Sequence, residues 1–227
     1  MFHTLDPLYW LFAIPGLILS MLATMYVKSA FAKYSRVKSA RGMTGAQAAY
    51  EMLLRSGVTD VKIEPVNGFL SDHYDPTSRT LRLSPDVYHS SSLAAIGVAC
   101  HEAGHALQHA GNYAWLGLRT SLVPAASIGS NFAYILFFLG LFINSMMLIK
   151  IGIILFTAAV AFSIVTLPVE WNASARAKVA MVEHGIVSVT EREDASAVLN
   201  AAFLTYVAAA VSAILNLLYL ISRSRQR

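Results

Sequence analysis

Long apolar segments alternate with polar ones along this chain, and four of the apolar segments are long enough to form membrane-spanning helices. A helix needs about 20 apolar residues to cross a bilayer. The predicted spans cover residues 7–27, 122–143, 146–167 and 199–221. Asn144 and Ser145 connect the second span to the third, so these two spans form a helical hairpin. The pattern predicts a mainly α-helical integral membrane protein.

Two polar segments, residues 28–119 and 168–198, separate these spans. If every span crosses, both segments lie on the same side of the bilayer, because the hairpin returns the chain. Five basic residues follow the first span directly, and none precedes it: Lys28, Lys33, Arg36, Lys38 and Arg41. The positive-inside rule therefore favours a cytoplasmic polar domain. Three basic residues at the carboxyl terminus argue for the opposite orientation: Arg223, Arg225 and Arg227.

The first polar segment shows the pattern of a small α+β domain. "MTGAQAAYEMLLRSGV" predicts a helix that Thr44 and Gln47 cap and Gly57 ends. "VKIEPV" predicts a short strand, with Pro65 at a sheet edge or strand end. Residues 69–83 predict a β-hairpin with its turn at "DPTS".

The next helix carries most of the candidate chemistry. Ser90–Ser92 supply a cap, and "LAAIGVACHEAGHALQHA" runs from there to a stop at Gly111. His101 and His105 are four residues apart, so they lie on one helix face and can reach a single ion. Glu102 adjoins the first histidine, which completes an HExxH pattern. In such a site two imidazoles and a third protein ligand bind zinc, and the glutamate transfers a proton.

The pattern alone also fits a polar helix face that binds no metal. His109 does not complete the site, because eight residues separate it from His101, about 12 Å along a helix axis. The third ligand must therefore come from another part of the chain. Glu170 follows the third span directly and is either that ligand or a carboxylate that ends the span.

Composition narrows the class of protein further. Charged residues make up 13% of the chain, against about 25% in soluble domains. The net charge of +4 arises from basic residues beside apolar segments, where they suit lipid headgroups. No basic stripe interleaved with aromatic residues is present in the sequence, so we expect no nucleic-acid partner. The single cysteine, Cys100, excludes an intramolecular disulfide.

Three motifs carry a resemblance to a known family: "LSDHYDPTSRTLRLS", "HEAGHALQHA" and "LPVEWNASARA". Together with the predicted spans, they make nearly the whole chain resemble the YugP-like neutral zinc metallopeptidases of bacteria. That family is similar in turn to the integral-membrane gluzincins that include HtpX and the CAAX prenyl endopeptidases. The resemblance implies a zincin-like (gluzincin) catalytic domain attached to the spans of a bacterial cell-membrane protein.

The resemblance also implies roles for individual residues. It implies one zinc ion per chain, bound by His101, His105 and Glu170, with Glu102 as general base and then general acid. Gluzincins carry an E-x-x-A-D segment whose glutamate is the third ligand. The segment "EWNAS" puts Glu170 at that position, while Ser174 stands where the aspartate is expected. This departure leaves open whether Ser174 hydrogen-bonds a ligand.

Four further side chains are weaker candidates around such a site. Tyr206, His73 and His184 can each donate a hydrogen bond to an oxyanion. Arg176 can pair with Glu102 or with a substrate carboxylate. Each also has a structural explanation, which for Arg176 is contact with lipid headgroups.

These features predict a membrane-embedded zinc-dependent endopeptidase that hydrolyses peptide bonds of membrane or membrane-proximal proteins. An extended substrate can add to the edge of the 69–83 hairpin, although a hairpin that only packs fits equally well. An oligomer or a regulatory membrane partner is compatible with the sequence. The alternative is a non-catalytic membrane scaffold with a structural metal site. Glu102 favours the enzyme, because structural zinc sites have no use for a general base and are often closed by cysteines.

Overall fold

The computed structural model describes residues 7–68 and 70–226, and within these ranges the chain is mainly helical with one small sheet. The helices are α1 (Pro7–Tyr34), α2 (Gly45–Arg55), α3 (Pro85–Tyr88), α4 (Leu93–Ala110), α5 (Ala114–Phe142), α6 (Met146–Glu183) and α7 (Arg192–Arg225). The strands are β1 (Lys62–Pro65), β2 (His73–Asp75) and β3 (Thr80–Leu83). Phe69, where the predicted hairpin begins, lies outside the described residues.

The chain divides into two compact units, here called the apolar unit and the polar unit. The described part of the apolar unit comprises residues 7–24, 117–168 and 204–226. The four long helices that contribute to it are each long and apolar enough to cross a membrane. Leu17 and Phe142 leave 65% and 80% of their surface exposed, as lipid-facing side chains would. The prediction of a mainly helical protein with four apolar helices is confirmed.

The helices extend beyond the predicted spans. Helix α5 begins at Ala114, and α6 continues through Pro168 to Glu183, so the predicted third-ligand segment is largely helical. The apolar pattern marks only the apolar part of each helix, because a helix continues after its surroundings become polar. Proline removes a backbone donor but is tolerated in membrane helices, where neighbouring groups satisfy the freed carbonyl.

The polar unit comprises residues 25–116 and 169–203 and has its own hydrophobic core. Helix α4 lies in this core, since Ala95, Ile96 and Ala99 are completely buried. The sheet order is β1-β3-β2, with β1 parallel and β2 antiparallel to β3. Both β1 and β2 are therefore edge strands, and β2 contacts α4.

Local signals fix where the elements of the polar unit begin and end. Thr44 and Gln47 form the predicted reciprocal cap of α2, and Gly57 follows that helix with a φ of +77°. Ser92 caps α4 by accepting a hydrogen bond from the Ala95 amide at 3.2 Å. The sequence predicted each of these signals, because a cap depends on residues three or four positions apart.

Candidate metal centre

Three predicted ligand residues converge within the polar unit. His101 and His105 lie on α4, and Glu170 lies on α6. One ligand atom from each residue lies within 4.8 Å of the other two. Glu170 Oε2 is 3.2 Å from His101 Nε2 and 3.5 Å from His105 Nε2. Only 2% of the Glu170 surface is exposed, so this carboxylate is a buried group rather than an interfacial one.

A close approach of two helices brings the ligands together. A Cβ atom on Gly104 would lie 2.5 Å from the carbonyl oxygen of Ala173, a distance that real Cβ atoms essentially never show. Glycine at this position therefore lets α4 contact the backbone of α6 next to the ligands. On the same helix, a Cβ on Gly97 would lie 2.4 Å from the carbonyl oxygen of Ala195 in α7.

The second ring nitrogen of each histidine is also hydrogen-bonded. Ser174 Oγ lies 3.0 Å from His101 Nδ1, so the serine makes the contact that its departure from the gluzincin pattern left open. Gln108 Oε1 lies 3.0 Å from His105 Nδ1. These contacts turn both Nε2 atoms towards Glu170. Such partners are typical of metal-binding histidines, whose free N–H is held by a hydrogen bond.

The electrostatics of the cluster favour a cation. Burial lowers the pKa of His105, but hydrogen bonding and charge from Glu170, together with the charge of Glu102, outweigh it and raise that pKa. The pocket between the ligands therefore stabilises positive charge. Two imidazole nitrogens and one carboxylate oxygen are also a donor set that zinc accepts in catalytic sites. The residues present thus fit a zinc ion, with Glu102 partly exposed beside His101.

Other predicted site residues make contacts outside the cluster. His73 is exposed, and its Nδ1 lies 2.8 Å from the carbonyl oxygen of Ser71. His184 Nε2 lies 3.2 Å from Ser56 Oγ, at the end of α2. Tyr206 lies on α7 within the apolar unit. A role in stabilising an oxyanion stays a prediction for all three residues.

Arg176 and His109 also have defined partners in the polar unit. Arg176 Nε donates to Asn172 Oδ1 at 2.8 Å, and its guanidinium carbon lies 5.9 Å from the centre of the Tyr113 ring. His109 Nδ1 lies 2.8 Å from the hydroxyl of Tyr74, a contact that joins α4 to β2. Neither residue belongs to the converging ligand set.

Gln108 is the residue of this region that sequence reasoning missed. It is completely buried, although its side chain is polar. The available signal was its position on α4, three residues after His105, which places both side chains on one helix face. A buried glutamine at that spacing requires hydrogen-bond partners, and His105 offers one from the same helix face.

The fold and the site are those of a membrane protein with a candidate zinc centre, and comparison with known proteins identifies the family. The chain belongs to the family described as "Putative neutral zinc metallopeptidase", whose profile matches residues 9–225. It is 48% identical over 211 residues to "Putative membrane protease YugP" of Bacillus subtilis (strain 168), covering 93% of this chain and 94% of that protein. No solved structure matches the chain. The resemblance inferred from three motifs is thereby confirmed.

Proposed function

We propose that this protein is a membrane-embedded zinc-dependent endopeptidase that cleaves membrane or membrane-proximal proteins. The observation that supports this most directly is the convergence of His101, His105 and Glu170 within 4.8 Å inside a protein of the zinc metallopeptidase family. We propose one zinc ion per chain at this position. The polar unit would then be a zincin-like catalytic domain.

The residues of the site divide the chemistry between them. When bound, zinc supplies Lewis-acid polarisation of the peptide carbonyl and lowers the pKa of water. His101, His105 and Glu170 hold the ion, and Ser174 and Gln108 fix the ligand rings. Glu102 accepts a proton from the attacking water and donates it to the leaving amine.

Strand β2 is the proposed binding position for the substrate backbone. It is an edge strand, and it contacts the helix that carries both histidines. An edge strand presents unpaired N–H and C=O groups, to which an extended peptide can add by main-chain hydrogen bonds. Substrate specificity would then depend on side chains beside this edge.

The proposed location is the bacterial cell membrane with the polar unit in the cytoplasm. The relative from Bacillus subtilis is named a membrane protease, and four helices of this chain can span a bilayer. Basic residues after the first span support the orientation, by the positive-inside rule.

The decisive experiment compares the wild type with Glu102→Gln and Glu170→Ala, each purified as the full chain in detergent. Zinc content is measured by elemental analysis, and cleavage with a mixture of quenched fluorescent peptides. We expect Glu102→Gln to keep its zinc but to lose cleavage by about 10²- to 10⁴-fold, because it removes the general base. Glu170→Ala should lose both zinc and cleavage.

Two outcomes would contradict the proposal. A wild type without zinc, even after reconstitution, would remove the metal site. Zinc in the wild type without cleavage of any peptide, and with no effect of Glu102→Gln, would instead support the non-catalytic scaffold.

A further inference from the structure

Gln108 is a buried glutamine whose side-chain amide hydrogen-bonds to the candidate ligand His105 and to two groups on α6. Its side chain is completely buried on α4. Leaving an amide buried without partners costs about 1–3 kcal/mol in proteins. Gln108 avoids that cost through three contacts: His105 Nδ1 at 3.0 Å, the Val169 carbonyl oxygen at 2.8 Å and Asn172 Oδ1 at 3.0 Å.

The contact with Val169 fixes the orientation of the Gln108 amide. A main-chain carbonyl oxygen only accepts hydrogen bonds, so the Gln108 NH₂ group must face it. Gln108 Oε1 therefore faces His105 Nδ1, and an amide oxygen also only accepts. His105 Nδ1 must carry the hydrogen. In the neutral ring, the Nε2 lone pair then points towards Glu170 Oε2, 3.5 Å away.

Asn172 and Arg176 support the same orientation from the other end. A guanidinium only donates, and Arg176 Nε lies 2.8 Å from Asn172 Oδ1. Asn172 Oδ1 is therefore an acceptor, and it also receives a hydrogen bond from Gln108 Nε2. The Arg176 guanidinium can only donate, and the Val169 carbonyl oxygen can only accept. These two groups fix the direction of each hydrogen bond that connects Asn172, Gln108 and His105.

His101 lacks an equivalent constraint. Its Nδ1 contacts the hydroxyl of Ser174, which can either donate or accept a hydrogen bond. The Ser174 contact thus orients the ring without selecting its tautomer. At Nδ1 the two ligand histidines are therefore held differently, because only His105 has a partner of fixed polarity there.

We propose that Gln108 is a positioning residue that selects the Nδ1–H tautomer of His105 and thereby presents Nε2 for zinc. This inference rests on the proposed function, since it assigns His105 as a ligand. Hydrogen-bond partners of metal-binding histidines typically contribute about 10- to 100-fold to metal affinity. Gln108 supplies that contribution through a neutral amide instead of a carboxylate.

The test compares Gln108→Met with the wild type, each as the full chain in detergent. Methionine has a similar length but no amide. Zinc affinity is measured by competition with a chromogenic chelator, and we expect it to fall about 10- to 100-fold. The control is Thr80→Val, which removes the hydroxyl of a residue that is 3% exposed in the same unit, on β3, and should leave the affinity unchanged.

A second readout needs no metal. Imidazole ¹⁵N shifts of the metal-free protein in alkaline buffer, where the ring is neutral, report the tautomer of His105. The signal is assigned by its absence in His105→Asn. We expect the Nδ1–H tautomer of His105 to be more populated in the wild type than in Gln108→Met.

The outcomes separate this inference from the proposed function. A wild type that binds no zinc overturns the proposed function, while the ¹⁵N shifts still decide whether Gln108 selects the tautomer. Wild-type affinity and an unchanged tautomer in Gln108→Met overturn the inference and leave the zinc site standing. If Gln108→Met does not fold, two variants of Asn172 test the inference instead. Asn172→Asp keeps the hydrogen-bond acceptor for Gln108 and should bind zinc as the wild type does. Asn172→Leu removes that acceptor and should bind zinc more weakly. Equal affinity of the two Asn172 variants would contradict the inference.

Discussion

In the described part of the apolar unit most side-chain hydrogen bonds stay within one helix, whereas the buried polar side chains next to the candidate ligands in the polar unit join two helices. In the apolar unit, Ser163 Oγ donates to the Ala159 carbonyl, and Thr166 Oγ1 donates to the Phe162 carbonyl, both within α6. In the polar unit, Gln108 on α4 reaches Val169 and Asn172 on α6. The first kind of bond leaves other helices unaffected, whereas the second couples two helices at the ligands.

The surroundings of each unit explain this difference. A helix in lipid has no water to satisfy its hydroxyl groups, so a serine or threonine bonds to a carbonyl of its own preceding turn. Ser212 does this too, by donating to Ala208, although its hydroxyl also lies 3.1 Å from the Gly16 carbonyl oxygen of α1. The polar unit instead uses its buried polar side chains to hold the candidate ligands. Substitutions of similar size should therefore affect zinc binding only in the polar unit.

The largest expected effect comes from adding one methyl group where two helices touch. A Cβ on Gly104 would lie 2.5 Å from the Ala173 oxygen, and one on Gly129 would lie 2.2 Å from the Leu155 oxygen in the apolar unit. Overpacking of this kind costs about 1–3 kcal/mol. We expect Gly104→Ala and Gly129→Ala both to lower the thermal unfolding midpoint, but only Gly104→Ala to abolish stoichiometric zinc binding.

Gly117→Ala is the matched control, because apart from its own turn of helix no atom lies within 4 Å of the position of its added Cβ. Alanine is a better helix former than glycine by about 1 kcal/mol, so this variant should be as stable as the wild type or slightly more stable. Loss of zinc from Gly129→Ala, measured below its unfolding temperature, would contradict the expectation that only the substitution beside the ligands affects zinc binding.

A smaller effect on zinc affinity is expected from substitutions of two serines on α6. Ser174 contacts His101 Nδ1 at 3.0 Å, whereas Ser163 bonds only within its own helix in the contacts that the structure gives it. We expect Ser174→Ala to weaken zinc binding about 10-fold, towards the low end of the range for such partners, because a hydroxyl is a weaker acceptor than a carboxylate. Chelator competition on both variants measures the difference.

Ser163→Ala should bind zinc as the wild type does. Ser174→Asp should restore or exceed the wild-type affinity, since its carboxylate can accept the His101 N–H as a charged partner. Equal affinities for Ser163→Ala and Ser174→Ala would show that the Ser174 contact does not support the ligand.

How far the sequence predicted these features depends on the range of the interaction behind each one. The caps at Thr44 and Ser92 and the spacing of His101 and His105 are local, so a single segment was sufficient to predict them. Glu170 required the family resemblance, because the residues alone left it open as a ligand or an interfacial carboxylate. For Gln108 the local spacing indicated only the contact with His105, since its other partners, among them a main-chain carbonyl, lie on another helix.

The prediction of strand pairing likewise depended on how far apart the two strands lie in the sequence. The antiparallel pairing of β2 with β3 was predicted, because these strands are joined by a short turn. The parallel pairing of β1 with β3, which aligns Lys62 with Thr80, was not predicted. A strand of four residues carries too little pattern to identify a partner that is distant in the chain.

The smallest expected effect concerns pH and the turn between β2 and β3. The hydroxyl of Ser78 and the amide of Thr77 donate to the Asp75 carboxylate, at 2.6 Å and 2.9 Å. These hydrogen bonds, with the one from Ser78 contributing most, lower the pKa of Asp75 to about 2, from 3.8. The carboxylate therefore stabilises the folded state above pH 3.8, and this stabilisation is lost as the pH falls through about 2.

Asp75→Asn should accordingly lower the thermal unfolding midpoint at neutral pH, and its difference from the wild type should shrink as the pH falls from about 4 to 2. The effect should be small because Asp75 is partly exposed and solvent screens it. Ser78→Ala removes the main donor, so it should raise the pKa of Asp75. The stabilisation by this carboxylate should then be lost at a higher pH than in the wild type. Acid sensitivity that persisted unchanged in both variants would mean that other titratable groups, and not Asp75, determine it.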